Sequence, residues 1–380
     1  MAPEIAFEAL KGLRKGSTIL DPMAGSGTVL KTISEKGFNG LGYDIDPLAV
    51  LMTKAWTSNI EAEKFIKGSQ RIVQEAHELN SRDIYLPWID DDPETKAFIH
   101  FWFGRKQVKS LRKLSFLLSN TKGSYSDLNK IALSRIIITK SNGASLAADI
   151  SHSRPHKVRD ASDYDVLSNY ERSCERLAKF FHSQKKSDVV KVYQGDARKL
   201  KKIDDQSVDA IITSPPYLNA LDYMRGHKLS LVWLGHSIPD LSHIRSVNVG
   251  AEKAPAKSYD KNLLSEITDG LKCIKQLHPR KVKMIQRYAL DMHKVLGECQ
   301  RVLEKKGRAT FVVGNSCING VFVQNSKIIS RVAEIHGLKL KERKWRKIPE
   351  NKRYLPPPNE GEKSSLGKRM RTEVIMTFIK

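Results

Sequence analysis

Between residues 17 and 56 two short apolar runs each end on an acid, and each leads through a turn into a helical stretch. Ser17-Thr18-Ile19-Leu20-Asp21 is the first run and Pro22-Met23-Ala24-Gly25-Ser26-Gly27-Thr28 its turn. Residues 29–36 continue as a helix, which Gly37 can end in a left-handed C′ position. Gly40-Leu41-Gly42-Tyr43-Asp44-Ile45-Asp46-Pro47 is the second strand and its acid, and an Ala-, Leu- and Met-rich helix follows at 48–56. Strand, glycine turn, helix, strand, acid, helix is how a doubly wound α/β sheet begins, since parallel strands need helical crossovers. The rhythm resumes with strands at 189–193 and 208–213, an amphipathic helix at 289–303, a strand at 309–313 and a helix at 327–336. Two last strands lie near 338–344 and 373–379. The count is about seven strands in a mostly parallel, Rossmann-like sheet.

Two stretches interrupt that plan. Residues 60–187 read as mainly helical, with Phe101, Trp102, Phe103, Leu111, Leu114, Leu117, Leu118, Ile131, Ile136, Ile137 and Ile138 as apolar faces and a polar, looped piece at 141–163. Residues 238–283 are basic and polar, with Pro239, Gly250 and Pro255 as breakers. The expected organisation is therefore a scaffold in two parts, 1–59 and 188–380, around a large helical insertion at 60–187.

Composition narrows the partners. In 380 residues, 65 Lys and Arg stand against 42 Asp and Glu, a net charge of +23. A chain this basic attracts polyanions, and clustered cations can displace counterions from a phosphate backbone. No apolar run approaches the ~20 residues a bilayer requires, and Met1-Ala2-Pro3-Glu4 lacks the basic start and apolar stretch of a secretion signal. The expectation is a cytoplasmic protein with no membrane association. Cys174, Cys273, Cys299 and Cys317 are scattered, with no C-x-x-C pair and no histidine at ligand spacing, so reduced structural thiols and no metal are expected.

The chemistry-bearing positions fall at strand ends. Asp21 arrives at the carboxyl edge of the sheet, where open α/β folds bind ligands, and Gly25 and Gly27 let backbone approach a ligand that a Cβ would obstruct. The turn is not G-x-G-x-x-G and no Lys-Ser/Thr follows, which disfavours a dinucleotide or a nucleoside triphosphate. Asp44 is placed to accept from ribose hydroxyls, and with Asp196 and the glycine turn it makes a three-point adenosine site. In Thr213-Ser214-Pro215-Pro216-Tyr217 two prolines stop a buried strand and fix φ at both positions. Such an elbow points the Pro215 carbonyl and the Ser214 hydroxyl into a cleft. Two acceptors there can stabilise an aryl amino nitrogen as positive charge develops on it, and Tyr217 offers a ring face to an extruded base.

These residues resemble a family. Residues 21–28 are similar to the "DPFAGSGT" cofactor motif of S-adenosylmethionine-dependent DNA amino-methyltransferases, with Met23 for the common Phe, and Thr213 to Tyr217 resembles their catalytic "(S/T/D/N)-P-P-(Y/F)" motif. Tyr43-Asp44-Ile45-Asp46-Pro47 and Gly195-Asp196-Ala197 match the ribose- and adenine-contacting positions, and Pro3-Glu4-Ile5-Ala6 the short element before the cofactor motif. The resemblance covers the scaffold and not the insertions. It implies a class I methyltransferase fold, S-adenosylmethionine as cofactor, double-stranded DNA as partner, and a place in a restriction-modification or defence system. Asp21 through Thr28, Asp44, Ile45, Asp196, Ala197 and Thr213 are the implied cofactor residues, and Ser214, Pro215, Pro216 and Tyr217 the implied catalytic ones. It also implies direct methyl transfer to an amino nitrogen, and Tyr217 stands where a carbon-5 cytosine enzyme would need a nucleophilic cysteine. Serine at 214 is the form similar to N4-cytosine enzymes, whereas N6-adenine enzymes mostly carry Asp or Asn.

Two departures qualify the match. The cofactor motif precedes the catalytic one, the reverse of many N4-cytosine enzymes, and roughly 170 residues separate the second strand from the catalytic turn, far beyond a usual connection. The 60–187 insertion is therefore the candidate target-recognition region, through Arg105, Lys106, Lys109, Arg112 and Lys113 and a loop of Ser151, His152, Ser153, Arg154, Pro155, His156 and Lys157. Lys341, Arg343, Lys344, Arg346, Lys347, Lys352 and Arg353, followed by Pro356, Pro357 and Pro358, form a second basic candidate. Asn315 and Ser316 are candidates for lining a base pocket or for capping. An RNA guanine-N2-type methyltransferase is the competing enzyme, although the stretch before residue 21 is short for an RNA-binding appendage. A non-catalytic nucleic-acid-binding relative is the third class, disfavoured by the intact Gly25, Gly27, Asp44, Asp196 and Ser214.

Overall fold

The computed structural model describes residues 1–123, 125–140, 142–148, 155–181, 189–218, 222–251, 260–269, 271–348 and 372–380. Seven strands form one sheet: β1 Thr18–Asp21, β2 Asn39–Asp44, β3 Val190–Gln194, β4 Val208–Thr213, β5 Leu303–Gly314, β6 Lys339–Lys347 and β7 Thr372–Ile379. Across the sheet they run β6-β7-β5-β4-β1-β2-β3. β1 to β5 pair in parallel, and β7 lies antiparallel to both of its neighbours. The expected α/β, mostly parallel, seven-stranded sheet is the one observed. Strand order reverses between β1 and β4, which makes their carboxyl ends the switch point where open sheets take ligands.

Helices cover both faces, so the central strands are apolar on both sides. Ile19 of β1 and Ala210 and Ile212 of β4 pack with Ala6, Leu10, Leu30 and Ile33, from helices Pro3–Leu10 and Thr28–Lys36. Leu20 and Ile211 point the other way, into a core with Tyr288, Met292 and Leu296 of helix Pro279–Val302 and Ile328, Ile329 and Val332 of helix Asn325–Ile335. Helix Thr28–Lys36 comes so close to β2 that a Cβ on Gly42 would lie 2.3 Å from Leu30 Cδ1. At the far edge β6 is almost wholly exposed and mixes Lys, Glu and Arg, which protects an unpaired edge from strand addition.

The chain divides into two compact units, one of Met1–Ile45, Val189–Ala220 and Ser246–Lys380, the other of Asp46–Asp188 and Leu221–Arg245. The first holds the whole sheet. The second is built on helices that include Pro47–Thr57, Ala62–Glu78, Pro93–Trp102, Arg105–Asn120, Ser126–Ile137, Val166–Phe181 and Met224–Leu231. Its core gathers Phe65, Phe103, Leu111, Leu114, Leu118, Ile131, Ile137, Tyr170 and Trp233. Trp102 and Leu117 are half-buried there, and Phe101 is exposed.

Within the basic and polar stretch 238–283, helices Ile238–Val247 and Lys261–Thr268 form on either side of Gly250 and Pro255. Pro239 sits in the first turn of the former, where the missing N–H has no intrahelical partner to lose. Pro255 lies outside the described residues, as do Ser151, His152, Ser153, Arg154, Lys352, Arg353, Pro356, Pro357 and Pro358.

Candidate active site

Four neighbouring parallel strands, β4, β1, β2 and β3, end on or lead directly into Thr213-Ser214, Asp21, Asp44 and Gly195-Asp196. The topology therefore brings all the strand-end positions singled out in the sequence to one edge of the sheet. Asp21 is buried at the centre of the row. Its Oδ1 accepts from Thr213 Oγ1 at 2.7 Å and from Met23 N at 3.2 Å, which ties the end of β4 to the end of β1. Burial pushes its carboxyl up to about 7, the Thr213 and Met23 hydrogen bonds oppose the rise, and the charge of Asp44 adds to it.

The glycine turn closes over the end of β2. Gly25 N donates to Asp44 Oδ2 at 2.8 Å, and Ala24 N donates to the Tyr43 carbonyl at 2.8 Å. Gly25 and Gly27 have φ of +53° and +78°, a region glycine enters without strain, and Gly27 caps helix Thr28–Lys36. Pro22, Ala24 and Gly27 are buried, Met23, Gly25 and Thr28 half-buried and Ser26 exposed. Asp44 and Ile45 are both half-buried, and one Asp44 oxygen orders the turn beside the ribose-binding role that the sequence suggests for it.

Asp196 follows β3 and is held by an arginine that the sequence reading missed. Arg198 Nε lies 2.9 Å from Asp196 Oδ1 and its Nη2 lies 2.7 Å from Oδ2, while its Nη1 reaches Asp291 Oδ1 at 2.6 Å. Arg198 Nη2 also donates to the Val247 carbonyl at 2.7 Å, and Arg287 Nε approaches Asp291 Oδ2 at 3.5 Å. Burial works to raise the Asp196 carboxyl, but the hydrogen bonds and charge of Arg198 outweigh it and hold it below the usual range. Asp196 is thus a paired carboxylate, and Ala197 beside it is buried. No local motif announces Arg198, because its second partner lies 93 residues away.

The Pro-Pro turn leaves β4 at the switch point. Ser214 Oγ donates to the Val312 carbonyl of β5 at 3.0 Å and lies 3.3 Å from the Tyr217 hydroxyl. A serine has one proton to give. With it committed to Val312, the Ser214 oxygen faces other groups as an acceptor, and Tyr217 is the donor in their shared contact. Pro215 is buried, and Pro216 and Tyr217 are half-buried. Gly250 lies close to both this turn and Tyr288: a Cβ there would stand 3.6 Å from the Tyr288 ring and 3.9 Å from the Tyr217 carbonyl.

Other candidates have structural partners. Asn315 Oδ1 accepts from Ser326 N at 3.1 Å, at the start of helix Asn325–Ile335, and Ser316 Oγ binds the Leu218 carbonyl, so both cap or brace. Arg112 chelates Asp90 and donates to the Ile84 carbonyl, and Lys113 donates to the Ala76 carbonyl at 2.9 Å. Those two hold the helical unit together, whereas Arg105, Lys106 and Lys109 are exposed. On β6, Arg343 donates to Ser330 and Arg346 pairs with Glu373, while Lys341 and Lys347 are exposed. Cys174 and Cys299 are buried free thiols whose pKa burial pushes up to about 12, and Cys317 is half-buried. Among the described residues no cluster of His, Cys, Asp or Glu is set to hold a metal ion, and no helix is long and apolar enough to cross a membrane.

No family model matches the chain. It is similar to the Type II methyltransferase M.AvaI of a Nostoc species, 25% identical over 366 residues, which covers 85% of this chain and 73% of that protein. M.MvaI of Kocuria varians, also a Type II methyltransferase, is 23% identical over 398 residues, covering 94% of this chain and 84% of its own length. M.BsoBI of Geobacillus stearothermophilus is 25% identical over 263 residues, covering 63% of this chain and 51% of that protein. A TehB-like SAM-dependent methyltransferase from Corynebacterium glutamicum aligns with 11% identity over 100% of this chain and 86% of its own, at a TM-score of 0.32.

Proposed function

We propose that the chain is an S-adenosylmethionine-dependent DNA methyltransferase that methylates the exocyclic amino group of an extruded base, cytosine N4 in preference to adenine N6, within a restriction-modification or defence system. The observation that carries the reading is the Ser214 hydroxyl, whose proton is committed to the Val312 carbonyl at 3.0 Å while its oxygen stands beside the row of strand-end carboxylates. Similarity to three Type II methyltransferases along most of the chain supports the same reaction class.

The residues present fit the cofactor. The glycine turn leaves backbone exposed beside Asp21, and Asp44 stands at the end of β2 where a ribose would meet a carboxylate. Asp21, Pro22, Met23, Ala24, Gly25, Ser26, Gly27 and Thr28 would surround the methionine end, Asp44 and Ile45 the ribose, and Asp196, Ala197 and Thr213 the remainder. Bound there, the cofactor supplies an electrophilic methyl carbon. The base amino nitrogen is a weak nucleophile because its lone pair is delocalised into the ring. Ser214 Oγ and the Pro215 carbonyl accept from its two N–H groups, which favours the pyramidal nitrogen and stabilises the positive charge that grows as the N–C bond forms. The bond broken would be the S–C bond, whose electron pair would stay on sulfur, and the nitrogen then gives up one proton to solvent, which leaves a neutral methylated amine. The two prolines keep both acceptors in place before the base arrives, and Tyr217 supplies a ring for the base to stack on.

Ser214→Ala tests the acceptor. Turnover with plasmid DNA should fall roughly 10²–10³-fold, the usual consequence of losing one preorganised group, while cofactor binding stays intact. An unchanged rate would reduce Ser214 to a brace between β4 and β5.

A further inference from the structure

The helical unit carries a small cleft that the proposed reaction does not use. Trp102, Pro155, Arg225, Lys228 and Arg245 line it, and its volume is about 280 Å³. Three of the five lining residues are cations. Arg225 and Arg245 both reach the same Asp222 oxygen, through Nε at 3.2 and 2.5 Å, and among the described residues their terminal Nη groups make no hydrogen bond. Their side chains remain 50% and 42% exposed, so solvent and solutes can reach them. Lys228 is anchored to Ser242 Oγ at 2.9 Å. Burial and then the charge of Arg245 lower its pKa, while Glu94 and Asp222 act the other way.

Charge counting identifies what is missing. Three cations against Asp222 and Glu94 leave a surplus of one positive charge in a partly enclosed space. A cluster serving structure alone would match its charges, since crowded like charges cost stability. A singly charged anion with several acceptor oxygens balances the cleft, and guanidinium forks bind a tetrahedral oxyanion in two-point fashion. Trp102 is half-buried and meets the exposed Phe101 edge-on, with centroids 4.9 Å apart, so one wall is aromatic. Aromatic surface next to cations suits a sugar and base attached to a phosphate better than a bare ion. Pro155 belongs to the loop whose sequence suggested contact with DNA.

We infer that Arg225, Lys228 and Arg245 grip one phosphodiester of the DNA backbone beside Trp102, an assignment that rests on the DNA methyltransferase reading above. Such a contact fixes the register of the helical unit on the duplex and carries no base information. Its loss therefore weakens binding to all sequences alike.

The test is the salt dependence of binding. Wild type, Arg225→Gln, Arg225→Lys and Arg71→Gln are titrated with a fluorescent DNA duplex over a NaCl series, and each is checked for methyl transfer to DNA. Arg71 is 82% exposed in the same unit and controls for net charge. Arg225→Gln should weaken binding about tenfold on any duplex and lower the log–log salt slope by about 0.9, the value of one lost phosphate contact. Arg225→Lys should keep the wild-type slope, because the charge persists, and Arg71→Gln should leave affinity and slope alone. If wild type methylates DNA and Arg225→Gln keeps its slope and affinity, the cleft is not a phosphate site. Equal losses in Arg71→Gln overturn it as well, because the effect is then one of net charge. If wild type neither binds nor methylates DNA, the DNA reading falls and this contact falls with it.

Discussion

Asp21→Asn removes one ionisable group while keeping the shape of the side chain, and so isolates what burial does to the carboxyl at the end of β1. Asp21 is 2% exposed. Burial moves its pKa from 3.8 to about 7 in the folded chain, even though Thr213 and Met23 hydrogen-bond to it. Between those values the unfolded chain has released the proton and the folded chain still holds it. Raising the pH therefore favours unfolding. The contribution is fully present below about pH 4, declines across the window and is gone above about pH 7, by the linkage between proton binding and stability. Roughly three pKa units at about 1.36 kcal/mol each amount to some ~4 kcal/mol. Urea unfolding of the ligand-free protein and the variant, from pH 4.5 to 8, reads this directly. The asparagine variant should gain on wild type as pH rises and level off above about pH 7, with ~4 kcal/mol as the upper limit. A difference between the two proteins that stays flat over that range would refute the reasoning.

Asp44→Ala should weaken S-adenosylmethionine binding roughly 10- to 100-fold, the effect of one charged acceptor, measured by calorimetric titration. Asp44→Asn can still accept from Gly25 N–H and should lose less; equal affinity in all three proteins would remove Asp44 from the cofactor site. Arg198→Met removes the cation that Asp196 and Asp291 share, leaving only Arg287 beside Asp291, and should cost about 3–5 kcal/mol in unfolding experiments. A loss below about 1 kcal/mol would mean that solvent already screens the network. Gly42→Ala pushes a methyl into Leu30 and should cost about 1–3 kcal/mol of stability; a neutral result would show that Leu30 has room to turn aside.

The first half of the sheet was legible because its signals are local. Asp21, the glycine turn and Asp44 lie within a single strand–helix–strand passage, and Thr213 to Tyr217 carries its turn chemistry in five consecutive residues. Longer-range commitments left no such trace. The carbonyl that takes the Ser214 proton is 98 residues away, and Arg198 stands two residues past Asp196 with nothing nearby to mark its bond to Asp291. Boundaries moved where polarity hid them. Helix Pro279–Val302 begins ten residues before the amphipathic stretch at 289, where Arg280 and Lys283 are exposed, Lys281 is half-buried and Pro279 occupies the first turn. Arg112 and Lys113 read as phosphate ligands from their charge, yet each satisfies a carbonyl within the helical unit. A lysine or arginine pattern shows where charge is carried and not what it neutralises. The cleft of Arg225, Lys228 and Arg245 escaped the sequence for the same reason, since its Trp102 wall comes from another helix more than a hundred residues earlier.

The central claim is methyl transfer to an amino group of DNA, and the identity of the methylated nucleoside tests it most directly. The protein is incubated with methyl-labelled S-adenosylmethionine and plasmid DNA or total RNA, and the digested products are separated. Label in N4-methyldeoxycytidine is the predicted result. N6-methyldeoxyadenosine would overturn the choice of cytosine argued from Ser214, and label confined to RNA, or absent from both substrates, would contradict the claim itself.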